Sequence, residues 1–90
     1  MQYKDDKTLQ LSKMLGIVIS KKRSEKGFSA HKFANEYDLD SGNLSRIEHG
    51  VTNCKFVTFW KIAEALGIKP SEFVKILEEE LGDNFTLIDE

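Results

Sequence analysis

The stretch SAHKFANEYDLDSGNLSRIEH, residues 29–49, decides the fold. Ser29 is a good N-cap for a short helix, because its hydroxyl can accept a hydrogen bond from a backbone N–H of the first turn. Asp40 can cap a second short helix, over about residues 41–49, in the same way. Asp38 lies between the two and tolerates the left-handed backbone at which the first of these helices would end. The stretch therefore predicts two short helices joined by a tight turn.

Apolar residues at helical spacing predict three more helices around this pair. The first helix is expected over about residues 9–26, where Gly27 supplies a left-handed stop. Gly67 separates a fourth helix from a fifth, and Pro70 suits the first turn of the fifth. From its spacing, we interpret the aromatic cluster of the fourth helix as core: Phe56, Phe59 and Trp60. The pattern predicts an all-α fold, a compact five-helix bundle.

The length of 90 residues suits a single small domain with a modest core, since 40% of the residues are hydrophobic. We expect residues 1–8 to be a flexible N-terminus, residues 9–81 to form the domain, and residues 82–90 to be an acidic C-terminal tail. Apolar and polar residues alternate over residues 85–87, so a short C-terminal strand is the alternative to a tail.

The net charge by itself argues against a nucleic-acid partner, because 13 basic and 15 acidic residues give −2. The distribution of the charges matters more than their sum. Residues 13–61 carry nine basic and five acidic side chains, whereas residues 62–90 carry two basic and eight acidic ones. The chain thus has a basic body, which is compatible with a polyanionic partner, and an acidic end.

Composition also bears on membrane, metal and catalytic functions. No window approaches the roughly 20 apolar residues that span a bilayer, and the acidic start argues against a secretory signal, so we expect a cytoplasmic protein without a membrane partner.

Cys54 is the only cysteine, which excludes an intrachain disulfide and a cysteine-pair zinc site. His31, His49 and Cys54 lack the spacing of zinc modules, and nothing resembles a nucleophile held by an oriented base. We predict no enzyme activity, metal, cofactor or small-molecule ligand.

The two short helices match the helix-turn-helix geometry, in which the second helix enters the major groove of double-stranded DNA. Base reading requires polar side chains on the outer face of that helix, and Ser41, Asn43, Ser45 and Arg46 have this chemistry. Arg46 is the strongest candidate, because a guanidinium can bind O6 and N7 of guanine together. The alternatives for Arg46 are an ordinary surface arginine or an intramolecular ion pair.

Three segments carry a resemblance to a known family: LGIVISKKRSEKGFS, FANEYDLDSGNLSRIEHG and KIAEALGIKPSEF. In this order and spacing the chain resembles phage-repressor-like, Cro/C1-type (XRE) transcriptional regulators over nearly everything in residues 15–73. The resemblance implies the five-helix fold of that family and a homodimer on a near-palindromic operator.

The resemblance also implies roles for individual residues. It maps base recognition onto the third helix: Ser41, Gly42, Asn43, Ser45 and Arg46. It maps a buried ion pair onto Arg23 and Glu48. Phosphate contacts are expected at the start of the second helix and in the loop after the third: Ser29, His31, Lys32, Thr52, Asn53 and Lys55. Apart from the resemblance, the dimer contact is expected to use apolar residues of the fifth helix that are left over after core packing, helped by the chain end: Val74, Leu81, Phe85, Leu87 and Ile88.

The leading hypothesis is therefore a sequence-specific DNA-binding regulator, either a restriction–modification controller or an antitoxin-like autorepressor. The rival hypothesis is a protein-interaction module that kept the fold and lost DNA binding. Three observations motivate the rival: the acidic balance, Ala30 where relatives often have Gln, and Gly42 at a position that commonly reads a base.

Overall fold

The structure is a computed structural model that describes residues 2–88, with side chains from Asp6 onward. Within that range the chain forms five α-helices and no strand, which confirms the all-α prediction. The helices are α1 (Gln2–Glu25), α2 (Ala30–Glu36), α3 (Ser41–Glu48), α4 (Phe56–Ala65) and α5 (Pro70–Leu81). Residues 82–88 contain a turn and a bend and form no part of the alternative strand. Of these helices, none is both long enough and apolar enough to cross a membrane.

The caps of the two central helices are as the sequence predicts. The Ser29 hydroxyl accepts a hydrogen bond from the backbone N–H of Lys32 at 3.2 Å. The Asp40 carboxylate accepts from the N–H groups of Gly42 and Asn43 at 2.9 and 3.3 Å. Asp38 has φ 57°, the left-handed geometry expected for the residue between the helices. Local chemistry thus accounts for where α2 and α3 begin and for the turn between them.

The first helix begins at Gln2, well before the start near Leu9 that the apolar stripe indicated. Residues 2–8, expected as a flexible N-terminus, are therefore helical. These residues carry no apolar stripe to reveal a helix, yet they contain no Gly or Pro that would prevent one. A helix that packs along its later turns can extend through such a segment.

The core lies among the five helices: α1 packs on α2, α3 and α5, while α2 packs on α3 and α4 packs on α5. The side chains with no exposed surface are Ile19, Phe33, Ala34, Ile62, Ala63 and Phe73. Leu44 and Ile47 bury the inner side of α3, as the sequence predicts.

The interpretation of the whole aromatic cluster as core is wrong for two of its three members. Phe59 is buried, but Phe56 and Trp60 are exposed. The buried side of α4 runs through Phe59 and Ile62, and Trp60 is turned away from Phe59 by about 100°, one helical position. Phe56 is the first residue of the helix and lies beyond the edge of the core.

Gly16 is buried where α1 crosses α3. A Cβ at this position would lie 2.5 Å from the carbonyl oxygen of Ile47 and closer still to that of Glu48. Both oxygens belong to the backbone, so neither can give way unless α3 itself moves. The missing side chain therefore lets α1 approach the C-terminal end of α3 directly.

Gly16→Ala is predicted to lower the free energy of unfolding by about 1–3 kcal/mol, because the added methyl overpacks the crossing. Urea denaturation measures the effect. Gly42→Ala is the matched control: its Cβ would make ordinary contacts at 3.4 and 3.5 Å on an exposed helical position. That control should be neutral or stabilising by up to about 1 kcal/mol, since Ala is the better helix former. Equal stability of Gly16→Ala and the wild type would contradict the close-approach argument.

Candidate nucleic-acid interface

The turn between α2 and α3 fixes the angle at which the two helices meet. The backbone N–H of Leu39 donates to the carbonyl oxygen of Ala34 at 2.8 Å, which closes the end of α2. Phe33 of α2 and Leu44 of α3 are buried in the same core. The opposite side of α3 consequently faces away from the bundle.

The outward side of α3 carries the five residues predicted to read bases. Gly42, Ser45 and Arg46 are exposed, and Ser41 and Asn43 are partly exposed. The side chain of Arg46 makes no hydrogen bond or ion pair with any side chain over residues 6–88 or with the backbone of residues 2–88. Its Nη1 atom lies 3.5 Å from the position that a Cβ of Gly42 would occupy. The guanidinium thus rests over the bare backbone of Gly42, beside the first turn of α3.

Arg23 joins α1 to the C-terminal end of α3. Its Nε donates to Oε2 of Glu48 at 2.7 Å and its Nη2 to Oε1 at 2.8 Å, a bidentate pair. The remaining donors reach the carbonyl oxygen of Phe28 at 2.7 Å and the hydroxyl of Ser20 at 3.4 Å. The side chains of Arg23 and Glu48 are only 12% and 7% exposed. The hydrogen bond to Glu48 raises the pKa of Arg23, so this guanidinium is charged at every pH of interest.

The residues predicted to contact phosphate lie in two places. Ser29, His31 and Lys32 are exposed at the start of α2, although the Ser29 hydroxyl already caps the helix. Asn53 and Lys55 are exposed in the loop between α3 and α4, and Thr52 is partly exposed there. One group therefore lies at the N-cap and first turn of α2, and the other lies after the end of α3.

The loop after α3 is tied back to α1. The Ser12 hydroxyl donates to Oδ1 of Asn53 at 3.3 Å. A Cβ on Gly50 would lie 2.8 Å from the backbone of Lys13, which shows how closely the loop passes α1. Cys54, in the same loop, is half-buried, and this burial raises the pKa of its thiol, so the thiol stays protonated. The helix α1 thus holds both α3 and the loop that is expected to contact phosphate.

Sequence reasoning missed two residues that matter to this surface. Gly16 sets the distance between α1 and α3, and no pattern in the sequence distinguishes it from any other glycine within a helix. Lys61 of α4 lines a small cleft together with Asn43 of α3. The sequence could have indicated Lys61 through its position three residues after Thr58, because residues at this spacing share one face of a helix and Thr58 lines the same cleft.

The fold and the exposed face of α3 define a helix-turn-helix protein. A scan against protein families matches residues 16–79 to the helix-turn-helix domain family. The chain belongs to this family, and its resemblance to Cro/C1-type DNA-binding regulators is confirmed. No curated protein matches the chain.

Two solved structures share the fold. A mutant of the restriction-modification controller protein C.Esp1396I superposes with a TM-score of 0.72 at 28% identity, and the match covers 79% of this chain and 90% of that one. The clp gene regulator ClgR from Corynebacterium glutamicum superposes with a TM-score of 0.71 at 21% identity, over 79% of this chain and 76% of that one. At 21% identity, the match to ClgR shows a shared fold and nothing more.

Glu48→Ala is predicted to lower the free energy of unfolding by about 3–5 kcal/mol, because it leaves the charge of Arg23 buried without its partner. Thermal and urea denaturation measure the loss. Glu25→Ala is the matched control, since Glu25 pairs with Lys22 at 3.7 Å on the exposed surface of α1. Its effect should lie within about 0–1 kcal/mol. A melting temperature of Glu48→Ala equal to that of the wild type would show that the Arg23 pair is not needed for stability.

Proposed function

We propose that this protein is a sequence-specific transcriptional regulator that binds a near-palindromic operator as a homodimer. The observation that carries the proposal is the side chain of Arg46, which is exposed and has no partner among the described residues. Arg46 lies on α3, and the last residue of that helix, Glu48, is held to α1 by Arg23. A preorganised helix with a free guanidinium on its outer face suits the major groove, which admits one α-helix.

The proposed base reader is α3. Arg46 binds O6 and N7 of a guanine, a contact worth about 1–3 kcal/mol of discrimination against another base. Ser41, Asn43 and Ser45 supply hydroxyl and amide groups for neighbouring base edges. Gly42 has no side chain to offer, but it leaves room for the Arg46 guanidinium near the start of the helix. Reading therefore rests on few direct contacts in each half-site, with DNA shape as the second source of specificity.

The proposed phosphate contacts position α3 in the groove without specifying sequence. They come from the start of α2 and from the loop after α3: Ser29, His31, Lys32, Thr52, Asn53 and Lys55. The polarised charge of the chain supports this arrangement. Four glutamates lie on α5, which packs on α1 and α4, whereas the first turn of α2 carries no acidic residue. The glutamates of α5 thus lie on a helix that supplies none of the proposed phosphate contacts.

The homodimer would be held by apolar residues of α5 and the chain end. Val74, Leu87 and Ile88 are exposed in the single chain and free to meet a partner. Leu81 and Phe85 are partly buried and line a groove that also contains Leu11 of α1. These two would contribute the less accessible edge of the contact.

Among regulators, we favour the role of an operon controller over that of an antitoxin-like autorepressor. The support is the likeness to C.Esp1396I, a restriction-modification controller protein, over 90% of its chain. A reporter gene behind the selected operator, with and without this protein, measures whether the chain represses, activates or does both as its concentration rises.

Selection from random duplexes separates the regulator from the rival interaction module. We expect enrichment of a palindrome with half-sites about one helical turn apart, and an affinity that falls steeply with rising salt as counterions are released. No enrichment at low salt would overturn the regulator and leave the interaction module, which Ala30 and the acidic balance support.

Arg46→Ala is predicted to relax the preference at one base pair per half-site by about 1–3 kcal/mol while the melting temperature stays unchanged. Competition binding with operators varied at each position measures the preference. Lys32→Ala is the control for a phosphate contact, and it should weaken binding to specific and random duplexes equally. An equal loss on both duplexes for Arg46→Ala would reassign Arg46 to phosphate.

A further inference from the structure

The outer side of α3 carries one more side chain beyond the five that are proposed to read bases. Ser45, Arg46 and His49 share that side, because residues three and four apart lie on the same face of a helix. His49 is the C-cap of α3 and is exposed. The chain continues from it into residues 50–55, the loop that is proposed to contact phosphate. Along the chain, His49 therefore lies between the proposed base reader and the proposed phosphate contacts.

The ring of His49 is held by a backbone group of its own helix. Nδ1 lies 2.7 Å from the carbonyl oxygen of Ser45, four residues earlier. A carbonyl oxygen can only accept a hydrogen bond, so Nδ1 must carry the proton that joins them. The same oxygen also accepts from the backbone N–H of His49 at 3.0 Å. The carbonyl of Ser45 therefore determines which ring nitrogen is protonated when the imidazole is neutral.

The consequence falls on Nε2, the other nitrogen of the ring. Nε2 has no hydrogen-bond partner among the side chains of residues 6–88 or the backbone of residues 2–88. In a neutral ring whose proton is on Nδ1, Nε2 carries a lone pair and can only accept. A phosphate oxygen also only accepts, so the neutral ring has no donor to offer it. Protonation turns Nε2 into a charged donor, and the bond from Nδ1 to Ser45 is kept.

The charges around the end of α3 come from α1, from α3 itself and from the loop. Glu48 precedes His49, but both of its oxygens already accept from Arg23. The helix α2 packs on α3 through its buried side, which contains Phe33 and carries no charge. No carboxylate of residues 6–88 forms an ion pair with His49. The other charged side chains of these elements near this end are basic: Lys13 of α1, Arg46 of α3 and Lys55 of the loop.

The helix dipole distinguishes His49 from His31, the other histidine of the chain. The last turn of a helix carries partial negative charge, and the first turn carries partial positive charge. A cation is therefore favoured at His49, at the end of α3, and disfavoured at His31, the second residue of α2. Of the two histidines, His49 is the better placed to contact a phosphate as an imidazolium.

We propose that His49, in its protonated form, binds a phosphate of the DNA backbone through Nε2, at the edge of the groove that α3 enters. The inference deepens the proposed function and rests on it for its biological meaning. The DNA-bound protein then holds the added proton more tightly than the free protein does. The affinity for DNA consequently rises as the pH falls, and the gain is lost as the pH rises through the range in which histidine titrates, about pH 5–8.

The test measures the Kd of the full chain for the selected operator and for a random duplex of the same length. Each Kd is measured at pH 6 and pH 8 and at several salt concentrations. His49→Ala removes the ring, and His49→Arg supplies a cation that keeps its charge at both pH values. His31→Ala is the matched control, because it removes the other exposed histidine. Circular dichroism at both pH values checks that each variant is folded.

The wild type is expected to bind both duplexes more tightly at pH 6 than at pH 8, by about threefold for each His49 and so about tenfold for a dimer. Its salt dependence should be steeper at pH 6 by about 0.9 in the logarithmic slope for each phosphate contacted. His49→Ala should lose both differences and match the wild type at pH 8. His49→Arg should bind at pH 8 as tightly as the wild type at pH 6, and His31→Ala should keep both differences.

A pH dependence that persists in His49→Ala would overturn the proposal, as would a wild type with the same affinity and salt slope at both pH values. A pH dependence confined to the operator and absent from the random duplex would assign His49 to a base instead of a phosphate. Failure to bind any duplex would overturn both this inference and the proposed function. A pH response that depends on His49 on random duplexes, without selection of an operator, would keep the inference and overturn the proposed function.

Discussion

The contact between Arg23 and Glu48 is the interaction on which the position of α3, the proposed reading helix, depends. α3 has eight residues, far fewer than the roughly 12–15 that an isolated helix needs to be even marginally stable in water. Its geometry must therefore come from its neighbours. The bidentate pair holds the last residue of α3 against α1, and the same guanidinium binds the carbonyl oxygen of Phe28 just before α2. One buried side chain thus ties both helices of the motif to α1.

Gly16 is the steric counterpart of this pair. Arg23 comes within hydrogen-bond distance of Glu48 because α1 lies against the final carbonyl groups of α3. That close approach requires a residue without a Cβ at position 16 of α1. The pair and the glycine lie two helical turns apart on α1 and act on the same end of α3. The start of α3, by contrast, depends on local chemistry, since Asp40 caps it from within the turn. The outer face of α3 is therefore fixed at both ends by different kinds of interaction.

The parts of the fold that sequence could predict are those with short-range causes. Capping residues, the left-handed Asp38 and the inner positions of α3 each follow from a few neighbouring residues. The family pattern was needed to pair Arg23 with Glu48, because no local rule joins residues 25 positions apart. The early start of α1 could not be seen, since a solvated helical segment needs no apolar stripe. Periodicity alone also could not show which aromatic residue of α4 is buried in the core.

The sparse outer face of α3 is the feature that makes the proposed homodimer important for specificity. If Arg46 contributes about 1–3 kcal/mol of discrimination, a single copy distinguishes its half-site only about 5- to 150-fold at that base pair. Two copies held at a fixed separation square that factor and add the spacing between half-sites as a further requirement. If α3 reads bases as proposed, a chain with Gly42 in that helix therefore gains more specificity from a rigid partner than from another polar side chain.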